Sequence, residues 1–296
     1  EAILEVNPDI RLVAVGDDWQ AINGFAGADS RFFNDFSTYF SGGKTVSVAT
    51  NYRSNKTIVL AGNRVMSGLG QPAKNHHHHE ANFKIFNLGD KNLCRVEFRL
   101  GDIYKEQRTN DAIYLPIDYK EGEILGNGRL DVARVLKICT EIINKDPKQT
   151  VLILSHNNYV YNIKLDEFRK RLIRVVTKVC NINEKELEHT IQVMTVHKSK
   201  GQEAKTVIIL EAEKGSFPRV HPDNLLLGPF GVTVENILEE ERHLFYVAIT
   251  RAEENLFLIT KDQNETPYLQ EMIKNNIDIP ASLPSAEIKQ LFTSEI

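Results

Sequence analysis

The sequence predicts an α/β fold in which helices flank a parallel β-sheet. Short apolar runs without polar alternation recur along the chain, as in buried parallel strands. Helical patterns separate these runs, and alternating strands and helices are typical of a doubly wound sheet. The predicted strands are 11–16, 44–50, 150–155, 191–195, 206–211 and 255–260, and the predicted helices are 54–66, 130–143, 165–179 and 235–248.

The remaining stretches depart from this pattern. Residues 83–127 contain two strand-like segments followed by turn glycines, so we expect a small antiparallel insertion there. Ser54 is the expected N-cap of helix 54–66. The last thirty or so residues, with three prolines and little periodicity, are expected to form a loosely packed tail. His76 to His79 are interpreted as an exposed loop or an engineered tag, because consecutive residues rarely point at one metal ion.

Composition and charge exclude some classes of protein. The chain has 296 residues and a net charge of −4, so no overall field attracts polyanions, and nucleic-acid binding would need a local groove. Cys94, Cys139 and Cys180 form neither a zinc motif nor a disulfide framework, so a reducing, cytoplasmic compartment is expected. No apolar run approaches the roughly 20 residues that cross a bilayer, and no membrane partner is expected.

Two groups of chemically active residues follow the first two predicted strands. In the segment GDDWQAINGFAGA, Gln20 could sense a terminal phosphate or position water, and Phe25 could stack on a base. A strand-end turn and a core aromatic would explain these residues if each stood alone. In the segment NYRS, Arg53 can reach a phosphate with its fork of donors. A structural salt bridge is the competing interpretation for any isolated arginine.

Two further groups lie in the second half of the chain. The loop after strand 191–195 offers donors to nucleic-acid phosphates, and Glu203 beyond it could accept hydrogen bonds from a ribose. Arg251 follows a buried helical stripe and is placed to act as an arginine finger, although the helix dipole also favours an arginine there. All four groups are expected to share one site at the carboxyl edge of the sheet. The polar residues and turn glycine of the loop are Thr195, His197, Lys198, Lys200 and Gly201.

In this order, the four groups resemble the motifs of the UvrD/Rep/PcrA group of superfamily-1 helicases. GDDWQAINGFAGAD is similar to motif III of that group, NYRS to motif IV, TVHKSKGQE to motif V and YVAITRAEE to motif VI. GSFP is similar to the short element between the last two motifs. The resemblance covers roughly residues 10–260. It implies a RecA-like P-loop NTPase second motor domain at 45–296, with an insertion at about 83–127, preceded at 1–44 by a fragment of the first motor domain.

The resemblance also implies a role for each matched residue. Closure of two motor domains on ATP and Mg²⁺ would move single-stranded DNA, in the 3′ to 5′ direction, and unwind duplex junctions. The catalytic residues would be Gln20, Arg53 and Arg251, which contact the γ-phosphate, and the nucleotide site would also include Gly201 and Glu203. The DNA-binding residues would be Phe25, Thr195, His197 and Lys198.

Two features of the helicase pattern are missing from the chain. Neither the phosphate loop GxxxxGK[ST] nor the acidic DExQ element that holds Mg²⁺ is present. We expect both in a first motor domain upstream of Glu1, no metal ligands in this chain, and no ATP hydrolysis by the chain alone. The leading hypothesis is therefore part of an ATP-dependent DNA helicase or translocase. The rival is a degenerate, non-catalytic scaffold that binds DNA or a partner protein, and Ala26, which replaces an arginine of the group, is compatible with it.

Overall fold

A computed structural model describes residues 6, 11–24, 31–40, 42–79, 81–88, 130–160, 163–220, 233–261 and 264–274. The strands are, in chain order, β1 (Thr50–Asn51), β2 (Lys74–Asn75), β3 (Asn82–Leu88), β4 (Val151–Ser155), β5 (Tyr159–Val160), β6 (Ile163–Lys164), β7 (Ile191–Thr195), β8 (Ala204–Ile209) and β9 (Ala252–Lys261). The α-helices are α1 (Arg31–Asn34), α2 (Phe36–Tyr39), α3 (Lys56–Val65), α4 (Leu130–Lys145), α5 (Leu165–Cys180), α6 (Glu184–Thr190), α7 (Val234–Ile249) and α8 (Pro267–Lys274).

Five of the strands form one parallel sheet in the order β3-β9-β8-β4-β7. Strand β4 pairs with β7 on one side and with β8 on the other, so that Ile153 lies opposite both Val193 and Ile208. All five residues of β4 are buried, as an uninterrupted apolar run predicts for a strand covered on both faces. Two small sheets accompany the main one: β1 pairs with β2 in parallel, and β5 pairs with β6 as an antiparallel hairpin.

Helices cover both faces of the main sheet. Alternate residues of a strand point to opposite faces, and in β4 Ile153 packs into a cluster with residues of α4 and α5. Its neighbours Leu152 and Leu154 pack into a second cluster with residues of α3, α7 and α8. The predicted fold class, a parallel sheet between two helical layers, is therefore confirmed. No helix among the described residues is long and apolar enough to cross a membrane.

Two predicted strands near the start of the chain are not strands. Residues 11–16 and 44–49 are irregular, and only Thr50–Asn51 of the second prediction lies in a strand. The side chains of Val13, Val15, Val46 and Val48 are 82 to 94 % exposed. An apolar run becomes a buried strand only where neighbouring strands pair with its backbone. Among the backbone hydrogen bonds of the described residues, only one from strand β2 reaches these segments, from the N–H of Lys74 to the carbonyl of Ala49 at 2.7 Å.

Three further expectations need correction. Residues 83–88, expected in the antiparallel insertion, belong to the parallel edge strand β3, which pairs with β9 along its whole length; residues 89–127 of that prediction lie outside the described part of the chain. The expected tail begins with helix α8, because Tyr268, Leu269 and Met272 bury an apolar face against the second cluster. The N-cap of α3 is Asn55 rather than Ser54, whose hydroxyl donates instead to the carbonyl of Ala252 at 2.6 Å.

Candidate functional site

The predicted site residues fall into two groups on opposite edges of the sheet. Glu203 and Arg251 directly precede β8 and β9, which places them at the amino-terminal edge. Thr195 ends β7 at the carboxyl edge, opposite Ser155. The expectation that all four motifs meet at the carboxyl edge is therefore wrong. A short 3₁₀ turn, His197–Ser199, and the residues after it carry the chain from one edge to the other.

Arg251 is the centre of the amino-edge group, and its side chain is fully buried although it is charged. Its Nε donates to the carbonyl of Val247 at 3.0 Å, and its Nη1 donates to that of Gln202 at 3.2 Å. Its Nη2 donates to Gln20 Oε1 at 3.0 Å and to Thr250 Oγ1 at 3.3 Å. These four acceptors are all neutral, and burial lowers the pKa of Arg251 from 12.5 to about 10. The cation is still protonated at neutral pH, and a bound anion would stabilise it.

Arg53 brings a second guanidinium to the same place. Its Nη1 donates to the carbonyl of Thr250 at 3.3 Å, so the two guanidinium groups meet at this threonine, and the charge of Arg53 further lowers the pKa of Arg251. Its Nε forms a partly exposed ion pair with Glu203 Oε2 at 2.7 Å. The Asn51 side chain accepts the backbone N–H of Arg53 at 2.9 Å, which fixes the turn after β1. The ion pair with Glu203 is the salt bridge of the competing interpretation, and the bond to Thr250 is a contact in addition to it.

Gln20 reaches this group from a 3₁₀ turn, Asp18–Gln20. Its Oε1 accepts from Arg251, while its Nε2 donates to Asp17 Oδ2 at 2.6 Å, so that both ends of the amide have a partner. Lys200 Nζ donates to the backbone carbonyl of Gln20 at 2.8 Å. The structure therefore brings Gln20 and Arg251, 231 positions apart in the chain, into direct contact.

Helix α7 contacts the chain segment that contains Gln20 at two more points. Glu240 Oε1 accepts the backbone N–H of Gly24 at 2.8 Å. His243 Nδ1 lies 3.3 Å from the carbonyl of Ala21, to which it can only donate. Because α7 also leads directly into Arg251, one helix positions both the glutamine segment and the buried arginine.

Gly201 supplies a turn rather than a contact. Its φ of +85° lies in the left-handed region, which glycine adopts without steric cost. The turn presents the carbonyl of the next residue, Gln202, to Arg251 Nη1. Gly201, expected in the nucleotide site, thus shapes the surroundings of the arginine.

The second group is the 3₁₀ turn after β7. Thr195 is buried, and its Oγ1 accepts the backbone N–H of Lys198 at 3.4 Å. Lys198 is exposed, and His197 is half-buried. Burial and the nearby His156 lower the pKa of His197 below its ordinary value of 6.5, so its ring is neutral at neutral pH. Of the four residues predicted to contact DNA, these three lie together, and Phe25 lies outside the described residues.

Sequence reasoning missed a buried, hydrogen-bonded pair of side chains beside this turn. His156 Nε2 lies 3.0 Å from both carboxylate oxygens of Glu241, and the two side chains are almost fully buried. Glu241 Oε2 also accepts the backbone N–H of Arg219 at 2.9 Å. The rings of Phe217 and His197 lie 5.1 and 6.3 Å from that of His156. The only sequence signal was a histidine directly after a buried strand.

The histidine run lies in a largely exposed loop, as expected, and it also makes specific contacts. His77 Nε2 lies 2.7 Å from the carbonyl of Tyr52, and the rings of His76 and Tyr52 lie 4.7 Å apart. Within the described parts of the chain, no group of three or more histidine, cysteine, aspartate or glutamate residues is arranged to hold a metal ion.

The sheet between two helical layers, with arginines and a glutamine gathered at its amino-terminal edge, defines an α/β domain of the RecA-like class. Residues 129–263 match the family model of the UvrD-like helicase C-terminal domain. The matched region contains the 3₁₀ turn after β7 and Arg251.

Individual relatives agree with this assignment. The chain is 26 % identical to DNA helicase IV of Escherichia coli over 285 residues, which cover 95 % of this chain and 34 % of that protein. It is 34 % identical to the ATP-dependent DNA helicase PcrA of Staphylococcus epidermidis over 104 residues, 34 % of this chain and 13 % of that protein. The chain thus spans about a third of the helicase IV sequence. A solved C-terminal domain of a possible DNA helicase from Lactobacillus plantarum overlaps 75 % of this chain and 94 % of that domain at 15 % identity, but its TM-score of 0.37 is too low to indicate a shared fold.

Proposed function

We propose that this chain is the C-terminal part of an ATP-dependent DNA helicase or translocase, in which it forms one wall of the ATP site and part of the DNA track. The relatives described above are named as DNA helicases. The region matched by this chain covers only part of the length of two of them. In this proposal, residues 45–296 are the second RecA-like motor domain, and residues 1–44 belong to the first. A segment that carries the phosphate loop and the Mg²⁺ ligands completes the enzyme, which works in the cytoplasm.

One observation carries the proposal: the buried guanidinium of Arg251 meets Gln20 and Arg53. A phosphate oxygen would find two guanidinium groups and an amide within one cluster, and their N–H donors suit the acceptor oxygens of a terminal phosphate. The neutral acceptors of Arg251 leave its charge for an anion to offset. These residues therefore fit ATP, whose hydrolysis supplies the energy for movement.

In this proposal each residue of the amino-edge group has a defined task. Arg251 and Arg53 hold the γ-phosphate and offset the negative charge that develops as it departs. Gln20 orients the attacking water, because Arg251 and Asp17 fix its amide. Glu203 accepts hydrogen bonds from the ribose once Arg53 turns from it to phosphate, an exchange that is inexpensive because the pair is partly exposed.

The carboxyl-edge group is proposed to contact single-stranded DNA close to a duplex junction. Lys198 is exposed on the turn and can pair with a phosphate, while His197 and Thr195 line the backbone path. Phe25 is proposed to stack on a base. The net charge of −4 requires such a local contact, since this chain has no overall positive field that attracts DNA.

The test is ATP hydrolysis by the intact protein with and without single-stranded DNA. We expect DNA to stimulate turnover and Arg251→Ala to lower it by about 10³-fold or more. Arg171→Ala is the matched control, because this arginine lies on the surface of α5 and pairs with Glu167. The chain of 296 residues alone is expected to hydrolyse no ATP. Normal turnover in Arg251→Ala would refute the proposal, and DNA binding without any turnover in the wild type would favour the scaffold instead.

A further inference from the structure

The only tryptophan of the protein, Trp19, directly precedes Gln20 in the chain. Its side chain is 6 % exposed and belongs to the apolar cluster of α3, α7 and α8, together with Ile22. Trp19 therefore lies in the proposed first motor domain by sequence, but it is buried among residues of the proposed second domain.

Three contacts hold the indole. Its ring meets that of Tyr246 edge to face, with 5.3 Å between the centroids and 85° between the planes. Its Nε1 donates to the carbonyl of Leu69. Gly70 lies against the same nitrogen, since a Cβ at this position would be 3.1 Å from Trp19 Nε1. A buried tryptophan with a satisfied N–H and an aromatic partner is held in one orientation.

These contacts link Gln20 and Arg251, the two residues at the centre of the site, through their neighbours in the chain. Tyr246 is on α7, the helix that ends at Ile249 and leads into Arg251, and Trp19 is adjacent to Gln20 within one 3₁₀ turn. A displacement of the indole that shifts this turn would therefore also move the Gln20 amide relative to Arg251, from which it accepts a hydrogen bond at 3.0 Å.

We propose that Trp19 is a positioning residue: seated between Leu69, Gly70 and Tyr246, its indole latches the Gln20 segment to the second motor domain and holds Gln20 against Arg251. Trp19 contacts neither the phosphate nor the attacking water and acts through its neighbour Gln20. The role in turnover rests on the proposed function, whereas the contact itself does not.

Two nearby glycines offer a matched pair of variants. Gly68 and Gly70 have almost the same backbone conformation, with φ of +87° and +89°. A Cβ on Gly68 meets nothing within 4 Å, whereas a Cβ on Gly70 presses on Trp19 Nε1. Gly68→Ala and Gly70→Ala therefore carry the same backbone strain, and only the second displaces the indole.

The first experiment measures the tryptophan fluorescence of the chain itself. Because Trp19 is the only tryptophan, the whole signal reports on this contact. Gly70→Ala is expected to shift the emission to longer wavelength and to increase quenching by acrylamide, and Gly68→Ala is expected to match the wild type. Identical spectra for the two variants would contradict the proposed seating of the indole against Gly70.

The second experiment measures ATP turnover by the intact protein. Gly70→Ala is expected to lower kcat on the order of 10-fold without changing the KM for ATP, because it misplaces Gln20, while Gly68→Ala keeps the wild-type kcat. Trp19→Phe retains a ring against Tyr246 and should keep more activity than Trp19→Ala. A displaced indole with an unchanged kcat would overturn the positioning role. A wild-type protein without turnover would refute the proposed function instead, and the spectra would still decide whether the latch contact exists.

Discussion

The replacement Arg251→Met separates the function of this arginine from its part in stability. Methionine fills a similar volume without charge. We expect turnover by the intact protein to fall by about 10³-fold, while the chain unfolds at nearly the same denaturant concentration as the wild type. A residue that serves mainly to bind an anion should behave in this way, since its buried charge is a burden on the fold.

The magnitude follows from the surroundings of the guanidinium. A pKa lowered from 12.5 to about 10 means that the site disfavours the charged form by about 3 kcal/mol, at about 1.4 kcal/mol per pKa unit. Removing the charge relieves this cost. Its loss costs the carbonyl of Gln202 one hydrogen bond, at about 1–3 kcal/mol. The Thr250 hydroxyl and the Val247 carbonyl remain bonded to each other, and the Gln20 side chain is partly exposed to water. The two terms nearly cancel, and we expect the free energy of unfolding to change by less than about 2 kcal/mol.

Urea unfolding of the chain, followed by circular dichroism, measures this change. Phe245→Ala is the comparison, because Phe245 is fully buried on the same helix and its truncation should cost about 3–5 kcal/mol. A loss in Arg251→Met as large as that in Phe245→Ala would refute the reasoning. It would make Arg251 a structural residue at a helix end.

The remaining predictions concern the carboxyl-edge group. His156→Gln should raise the pKa of His197 by removing the electrostatic influence of His156, and Glu241→Gln should lower it by removing a negative charge; shifts in the same direction in an NMR titration would contradict this. Because unfolded His197 takes up a proton before the folded form does, it should reduce the stability of the wild type as the pH falls below 6.5, which thermal unfolding at several pH values can measure. Lys198→Ala should weaken single-stranded DNA binding and reduce the slope of log K against log salt concentration by about 0.7. Lys205→Ala should change neither quantity. Equal slopes for the two variants would contradict a contact between Lys198 and DNA.

The central sheet could be predicted because its strands are apolar throughout. Strand β4 and its neighbours need no information beyond their own residues to be recognised as buried. Segment 11–16 has a similar pattern, yet its valines are exposed. Local sequence reports what a segment could bury, and whether another strand lies beside it depends on distant parts of the chain.

The site was predictable in its residues but not in its arrangement. Motif order pointed to Gln20 and Arg251, but not to their shared hydrogen bond or to the separation of the two groups between opposite sheet edges. The pair His156 and Glu241, 85 positions apart, follows no local pattern. Such contacts depend on the packing of α7 against the strand ends, which periodicity cannot supply.

The most direct test of the account is a double-mutant cycle on Gln20 and Arg251, with ATP turnover of the intact protein as the readout. If the two side chains act on one phosphate through their shared contact, the double variant Gln20→Ala with Arg251→Ala should be little slower than the slower single variant. Effects that multiply in the double variant would mean that the two residues act independently and would contradict the central claim.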